Sequence, residues 1–311
     1  MAINSGNINS SGQVLQTYLK RRVLENFEPM LRMYQMGDKP VRDDGYYNLA
    51  WTRMQRLRVT PAQAALQEGV TPNGTNNQME TIQITAKEYG MYVTLSTYLL
   101  RVSAINVLNA ASTEVASNMA RIIDEVIQDN LATNGTNVIY ANNQTSRAAL
   151  TSSDTALAND LAKINAFLAT KAAPEFWDGY VGVMHPNVIY DLQVQTGTGT
   201  FIDLNKYTGN VTKVFNGEIG KLYNIRIVKS AYIQTFASNV TVFPSYIMGR
   251  GAYGVANLQN LTTYRTPMTA SDSDPLSQRV KVGAKVAFES IILQQDALVR
   301  YESASALNYA F

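Results

Sequence analysis

One arrangement limits the possible folds of this chain more than any single motif. A long strand–turn–strand pattern runs directly into one long helical pattern. The stretch Leu66-Gln-Glu-Gly-Val-Thr-Pro-Asn-Gly-Thr75 holds Gly69, Pro72 and an Asn73-Gly74 pair, the chemistry of a turn that needs positive φ. Tyr46 to Leu57 and Thr81 to Ser96 flank it as strands. Ser103 then opens a helical pattern that ends at Asn134-Gly135. A two-stranded ribbon is marginal in water, because its apolar positions have nothing to pack on. Such a ribbon predicts a neighbour, and a second copy of the same chain can be that neighbour.

The helical pattern from Ala104 to Ala132 takes Ser103 as its N-cap. Ile105, Leu108, Val115, Met119, Ile122 and Val126 mark its apolar face, with Glu114, Asn118, Arg121 and Glu125 off that face. Its length, about 40 Å, suits a structural spine. Ahead of the ribbon, Leu15, Leu19, Val23, Phe27, Met30 and Tyr34 follow helical spacing from Gln13 to Met36. Pro29 divides that run into two helical pieces. Lys20-Arg21-Arg22 on this arm is either a solvated face or an inner-surface contact to nucleic acid.

Beyond the spine, Asn142 to Thr155 reads as an Asn/Ser/Thr-rich linker into a second domain. A helix (Leu157 to Thr170), a buried strand (Tyr180 to Met184) and a short helix (Asn187 to Gln193) follow it. Gly217 to Val228 reads as a tight turn entering one strand, and Val240 to Met248 as another strand. Val282 to Leu293 and Ala297 to Tyr301 are strands joined at Gln294-Gln-Asp296.

Composition excludes several chemistries. The 311 residues suggest about two domains. Cysteine is absent, which removes disulfides, thiolate metal sites and thiol nucleophiles. A net charge of +2 offers no strong electrostatic case for a dedicated nucleic-acid binder. Charged residues make up 16%, against about 25% in ordinary globular chains, and amides and hydroxyls supply the polarity instead. Interface centres are depleted in charge in the same way. Met1-Ala-Ile-Asn-Ser-Gly has neither a charged nor an apolar leader region, and no apolar run approaches the ~20 residues that span a bilayer. The expectation is a cytoplasmically made chain without a membrane partner.

Motifs that could carry a reaction are weak. His185 is the single histidine, and its place in Met-His-Pro at the exit of an apolar strand suits a helix start or packing. No G-x-S-x-G elbow occurs. Gly217-Glu-Ile-Gly-Lys221 has two residues between its glycines where a phosphate loop needs four, and Leu222 replaces the Ser/Thr. Gly249-Arg-Gly-Ala-Tyr-Gly254 matches G-x-G-x-x-G by spacing but lacks the strand–helix setting of a dinucleotide site. Asp43-Asp44 and Asp272/Asp274 sit in turn-like sequence. No catalytic, metal or cofactor site is expected.

The order of these parts resembles the tailed-phage major capsid proteins with the Hong Kong 97 fold. Leu66 to Gly74, Lys87-Glu-Tyr-Gly-Met-Tyr-Val93, Asn134-Gly-Thr-Asn-Val-Ile-Tyr140, Met184-His-Pro-Asn-Val-Ile-Tyr-Asp-Leu192, Gly217-Glu-Ile-Gly220 and Phe288 to Ser303 resemble the N4-type branch, and the likeness covers nearly all of 13 to 305. The resemblance implies an α+β fold. Its parts would be an N-terminal arm (1–45), an extended E-loop (46–96), a spine helix with the first part of the P-domain (97–154), an A-domain (155–265) and the remainder of the P-domain (266–311). It further implies a coat protein, not an enzyme, that self-assembles in the host bacterial cytoplasm. The product would be the icosahedral head of a tailed double-stranded DNA phage. Its partners would be copies of itself in pentamers and hexamers, a scaffold, a portal, decoration proteins and non-specifically held DNA. Trp51, Arg53, Arg56, Arg58, Pro72, Asn73 and Gly74 are the inter-subunit contact candidates, and Lys20, Arg21 and Arg22 the inner-surface basic candidates. Some relatives carry a long cleaved scaffolding region ahead of the arm; the expectation here is a separate scaffold protein or prior trimming. Lys87, alone among 46–96 as a lysine, carries no mark of a cross-linking residue. A phage tail or surface-layer subunit is the alternative.

Overall fold

The computed structural model describes residues 31–40, 48–54, 60–66, 68–69, 79–103, 106–195, 218–266, 270 and 274–307. The ribbon is present. Strand β1 (Asn48–Met54) pairs antiparallel with β2 (Met79–Thr85), from Asn48 opposite Thr85 to Met54 opposite Met79. A short helix, α1 (Pro61–Ala64), lies in the connection between them. The second strand is shorter than expected because the chain breaks at Ala86. Its continuation, β3 (Lys87–Ser96), leaves the ribbon for a different sheet. In β3, Tyr89, Met91, Val93 and Leu95 turn inward while Glu88, Gly90, Tyr92 and Thr94 stay exposed, the two-residue period of a strand with one covered face.

The spine begins later than the sequence suggests. Helix α2 (Thr97–Val102) comes first, with the Ser96 hydroxyl accepting the Tyr98 N–H at 3.2 Å, and Ser103 ends that helix instead of starting the next. The long helix α3 (Val107–Asn134) is capped by Asn106, whose Oδ1 accepts the Asn109 N–H at 3.2 Å. Asn and Ser cap about equally well, so local chemistry alone could not choose between them. Val115, Ala116, Met119, Ala120, Ile123, Ile127 and Leu131 are buried on α3. Ile122 and Val126, expected on this face, are only half-buried. The covered stripe is rotated by about one residue, because the alanines and Ile123 meet the sheet.

Beyond the spine come β4 (Val138–Tyr140), α4 (Ala158–Thr170), the wholly buried β5 (Tyr180–Met184) and α5 (Pro186–Val194). The segment expected to be one strand after a turn is a hairpin, β6 (Glu218–Leu222) and β7 (Ile225–Lys229). Its turn falls at Tyr223-Asn224, with φ of 46° and 65°, the positive-φ pair that matches strand twist. Then follow β8 (Phe236–Ala237), β9 (Thr241–Met248), β10 (Tyr253–Arg265), β11 (Arg279–Ile292) and β12 (Leu298–Ser303).

Two larger sheets result. In the three-stranded sheet the order is β10-β11-β3, and α3 packs across β11 and β3. The seven-stranded sheet runs β4-β12-β9-β5-β7-β6, with β8 added on β9. It draws strands from both sides of positions 155 and 266. The stretch 142–155 is no loose linker. Asn142 donates to Asp154 at 3.0 Å, Leu150 is buried, and Arg147 grips Glu302 with two bonds of 2.7 and 2.6 Å. Asn142 and Asn143 hold φ of 55° and 57°, which explains amide-rich sequence in a packed turn.

Candidate functional site

The groups that could carry chemistry have structural roles. His185 is buried, its Nδ1 accepts the Asn187 N–H at 3.2 Å to cap α5, and its ring lies 4.9 Å from that of Phe243. Burial holds its pKa below the ordinary imidazole value. The Gly249–Gly254 stretch joins two strands, β9 and β10, and does not open a helix. Asp274 accepts the N–H groups of Gln278 and Arg279 at 3.0 and 2.8 Å, closing a turn. Lys221 pairs with Asp178 at 2.8 Å, and Lys87 with Glu289 at 2.9 Å. Among the described residues no group of three or more His, Asp or Glu could hold a metal ion, and no helix is long and apolar enough to cross a membrane. What the molecule offers is surface.

Three surfaces stand out. The first is the ribbon, in which, among the described residues, β1 and β2 pair only with each other and Ala50, Thr52 and Arg53 are exposed. Trp51 and Arg53, both expected at an inter-subunit contact, meet their own chain. The indole of Trp51 lies over Gly254, and Arg53 bonds Glu80 at 2.7 Å and the carbonyl of Leu293. Arg56, Arg58, Pro72, Asn73, Gly74, Lys20, Arg21, Arg22 and the Asp43-Asp44 pair lie outside the described residues.

The second surface is the outer face of the three-stranded sheet. Tyr92, Tyr264, Gly283, Lys281 and Lys285 line a shallow groove of about 610 Å³. Lys281 stands 5.4 Å over the Tyr92 ring, and Lys285 pairs with Glu88 at 2.8 Å. At one end of the same sheet, α2 has no buried residue and exposes Tyr98, Leu99 and Val102, with Leu276 also exposed nearby in the chain's fold. The Thr97 N–H donates to the Gln278 carbonyl at 2.9 Å, which ties α2 to the loop carrying Leu276. Clusters of exposed large apolar side chains mark association surfaces. Sequence reading missed this one, although Thr97-Tyr-Leu-Leu-Arg-Val102 is too apolar for a solvated turn.

The third surface is where the N-terminal segment docks. Residues 31–36 were expected to be helical, yet they form turns. The reason is Asp124, a buried carboxylate of α3 that accepts the N–H groups of Arg32, Met33 and Tyr34 at 2.9, 3.2 and 3.4 Å. Those donors are thereby taken out of any helical ladder. The Tyr253 hydroxyl donates to the Met33 carbonyl, and Asp38 forms a parallel bridge to Gly254. Burial pushes the Asp124 pKa up to about 6, against the lowering effect of the three N–H groups and Arg32. No residue pattern on the helix announced this, since a lone Asp one position from the apolar stripe is ordinarily solvated.

Comparison with known proteins agrees with a chain built of surfaces. The fold is similar to the capsid of Ralstonia phage GP4, with a TM-score of 0.70 at 14% identity over 91% of this chain and 93% of that one. The cyanophage Pam1 capsid gives 0.67 at 13% identity over 91% and 93%. A virus-like particle from Pyrococcus furiosus gives 0.55 at 12% identity over 92% and 99%. No curated protein matches by sequence. The sequence profile of the family described as phage capsid protein matches residues 79–300, from the second ribbon strand through the spine to β12. The chain therefore belongs to the phage capsid protein family, as a major capsid protein that forms the head.

Proposed function

We propose that this chain builds its shell by laying the ribbon across a neighbouring copy, in pentamers and hexamers of an icosahedral head with the Hong Kong 97 architecture. The observation that carries this reading is the ribbon itself: among the described residues β1 and β2 have no third strand, β2 exposes alternate side chains, and Ala50, Thr52 and Arg53 of β1 are exposed. Such an element gains stability only from a partner. The exposed groups Tyr92, Tyr98, Leu99, Val102 and Leu276 supply further apolar contact. In this reading 46–96 is the E-loop, 1–45 the N-terminal arm, 155–265 the A-domain, and the spine with 266–311 the P-domain, as in the N4-type branch. The work is structural, not enzymatic. A scaffold and a portal take part in assembly in the host cytoplasm, and packaged double-stranded DNA is held non-specifically.

Stable interfaces bury about 1,600 Å² in total, and interlocking subunits should exceed that. At about 25 cal/mol per Å² of apolar surface, many modest contacts outlast the cost of association. Electron microscopy and mass photometry of the purified protein, alone and with its scaffold, test the reading. Closed hollow particles, or pentameric and hexameric capsomers, are expected. A strictly monomeric chain under all concentrations, crowding and scaffold conditions would overturn it.

A further inference from the structure

The ribbon is joined to the body by two side chains that sit two residues apart on one strand, and so on one face. Trp51 covers the α-carbon of Gly254 so closely that a methyl group there would stand 2.7 Å from the indole Cε2. Among the described residues the indole N–H has no hydrogen-bond partner although it is buried. Packing alone holds the ring. Arg53 spans the ribbon to Glu80 at 2.7 Å and also reaches the carbonyl of Leu293, just past β11. Gly254 pairs with Ile291 and Tyr253 with Ile292, so both anchor points lie at the same end of the three-stranded sheet.

Gly254 has a second visitor. On the edge of β10 that β11 does not use, the Asp38 N–H donates to Tyr253 O at 2.9 Å and the Val255 N–H donates to Asp38 O at 2.8 Å. The N-terminal segment and the ribbon therefore meet at one residue that has no side chain. A ribbon strand of seven residues reaches about 23 Å at ~3.3 Å per residue, and Trp51 and Arg53 hold it from its midpoint towards its turn end, so their contacts fix the direction in which the chain leaves the body.

We propose that Trp51 and Arg53 clamp the ribbon onto Gly254 and Leu293 of their own chain, and that this joint sets the angle at which the ribbon leaves the subunit and hence the size of shell the subunits close into. The second half rests on the reading above that the ribbon reaches a neighbour. Trp51 and Arg53 are then positioning residues of assembly, and the contact with the neighbour belongs to the ribbon beyond them.

The chain has two tryptophans, Trp51 and Trp177, and Trp177 is 83% exposed. In unassembled subunits carrying Trp177→Phe, Trp51 emission should be blue-shifted and several-fold less quenched by acrylamide than Trp177 in a Trp51→Phe subunit. Adding Gly254→Ala should push the indole off, raising quenching towards the Trp177 level and speeding hydrogen exchange in 48–54 and 79–85. Thermal melting of the body should change little. On assembly, Gly254→Ala and Trp51→Ala should give mixed diameters or open sheets where the parent gives one diameter. Trp51→Ala carries this arm alone if Gly254→Ala does not fold. Free quenching of Trp51 in the parent would overturn the clamp. Uniform parent-sized particles from a variant with a displaced indole would overturn its control of size. A parent that never assembles would sink the shell reading and the size half with it, while the quenching comparison still decides the clamp.

Discussion

Asp124 shows how one side chain can hold two distant parts of a chain together. Its carboxylate accepts the N–H groups of residues 32–34, and it sits in the middle of the spine. Because burial dominates, its folded pKa of about 6 stands above the ordinary 3.8. The folded state then binds more protons than the unfolded state between those values, so stability from this group rises as pH falls from about 7 towards about 4. The two-unit shift bounds the gain at about 3 kcal/mol. Melting curves at pH 7.5 and pH 5 should show a gain on acidification that Asp124→Asn reduces. An equal gain in both would place the titration elsewhere. Arg32 on the docked segment, and Tyr34 and Tyr253 beside it, are the other ionisable groups facing this carboxylate, and neither tyrosine changes charge in that range. Asp124→Ala should cost more than Asp124→Asn at every pH, because it strands buried N–H donors.

Among the elements, the spine helix and the ribbon behave in opposite ways. The buried stripe of α3 makes the body, so Val115→Asp or Ile123→Asp should abolish soluble folded protein. An unpaired buried carboxylate costs several kcal/mol, comparable to a domain's whole stability. Ile122→Asp on the half-buried flank should be milder, and Asn118→Asp milder still. Soluble yield and melting temperature should rise from Val115→Asp and Ile123→Asp through Ile122→Asp to Asn118→Asp, and equal behaviour would mean the helix is not packed on that face. Deleting 60–78 between β1 and β2 should spare the body, because the described side chains there are exposed, but should block or misdirect shell formation. Normal shells from that deletion would remove the ribbon from the assembly mechanism. The sequence displayed the helix and the second ribbon strand, since a 3.6-residue period over 28 residues and the alternation of Met79–Thr85 are local signals. It misplaced the helix start by a few residues, because Ser103 and Asn106 cap with equal chemistry.

At the scale of the molecule, the protein is an assembly of faces on a mixed helix-and-sheet body. Charged residues are few, and most ion pairs of the described residues lie at least partly in solvent, such as Arg53–Glu80 and Lys285–Glu88. Exposed pairs contribute little and are screened by salt. Apolar burial should therefore carry the shell. Light scattering of assembled particles between low and high salt should show only moderate loss of integrity. Dissociation that follows ionic strength steeply would assign the contacts to charge instead.

Local chemistry decided much of this protein without the structure: the apolar run of β5, the His185 cap of α5, and the lack of cysteine that removes thiol chemistry. Those features depend on residues close together in the chain, where propensity and period act directly. The order of the parts was enough to suggest the family. Tertiary structure decided which residues meet across distance. It turned residues 31–36 from a helical pattern into a strap on Asp124, and it split one expected strand so that β3 joins β11. It also placed Trp51 and Arg53 against Gly254 and Leu293 of the same chain. A buried carboxylate and a bare α-carbon carry no periodic signature, and their meaning exists only once partners 90 or more residues away are in place.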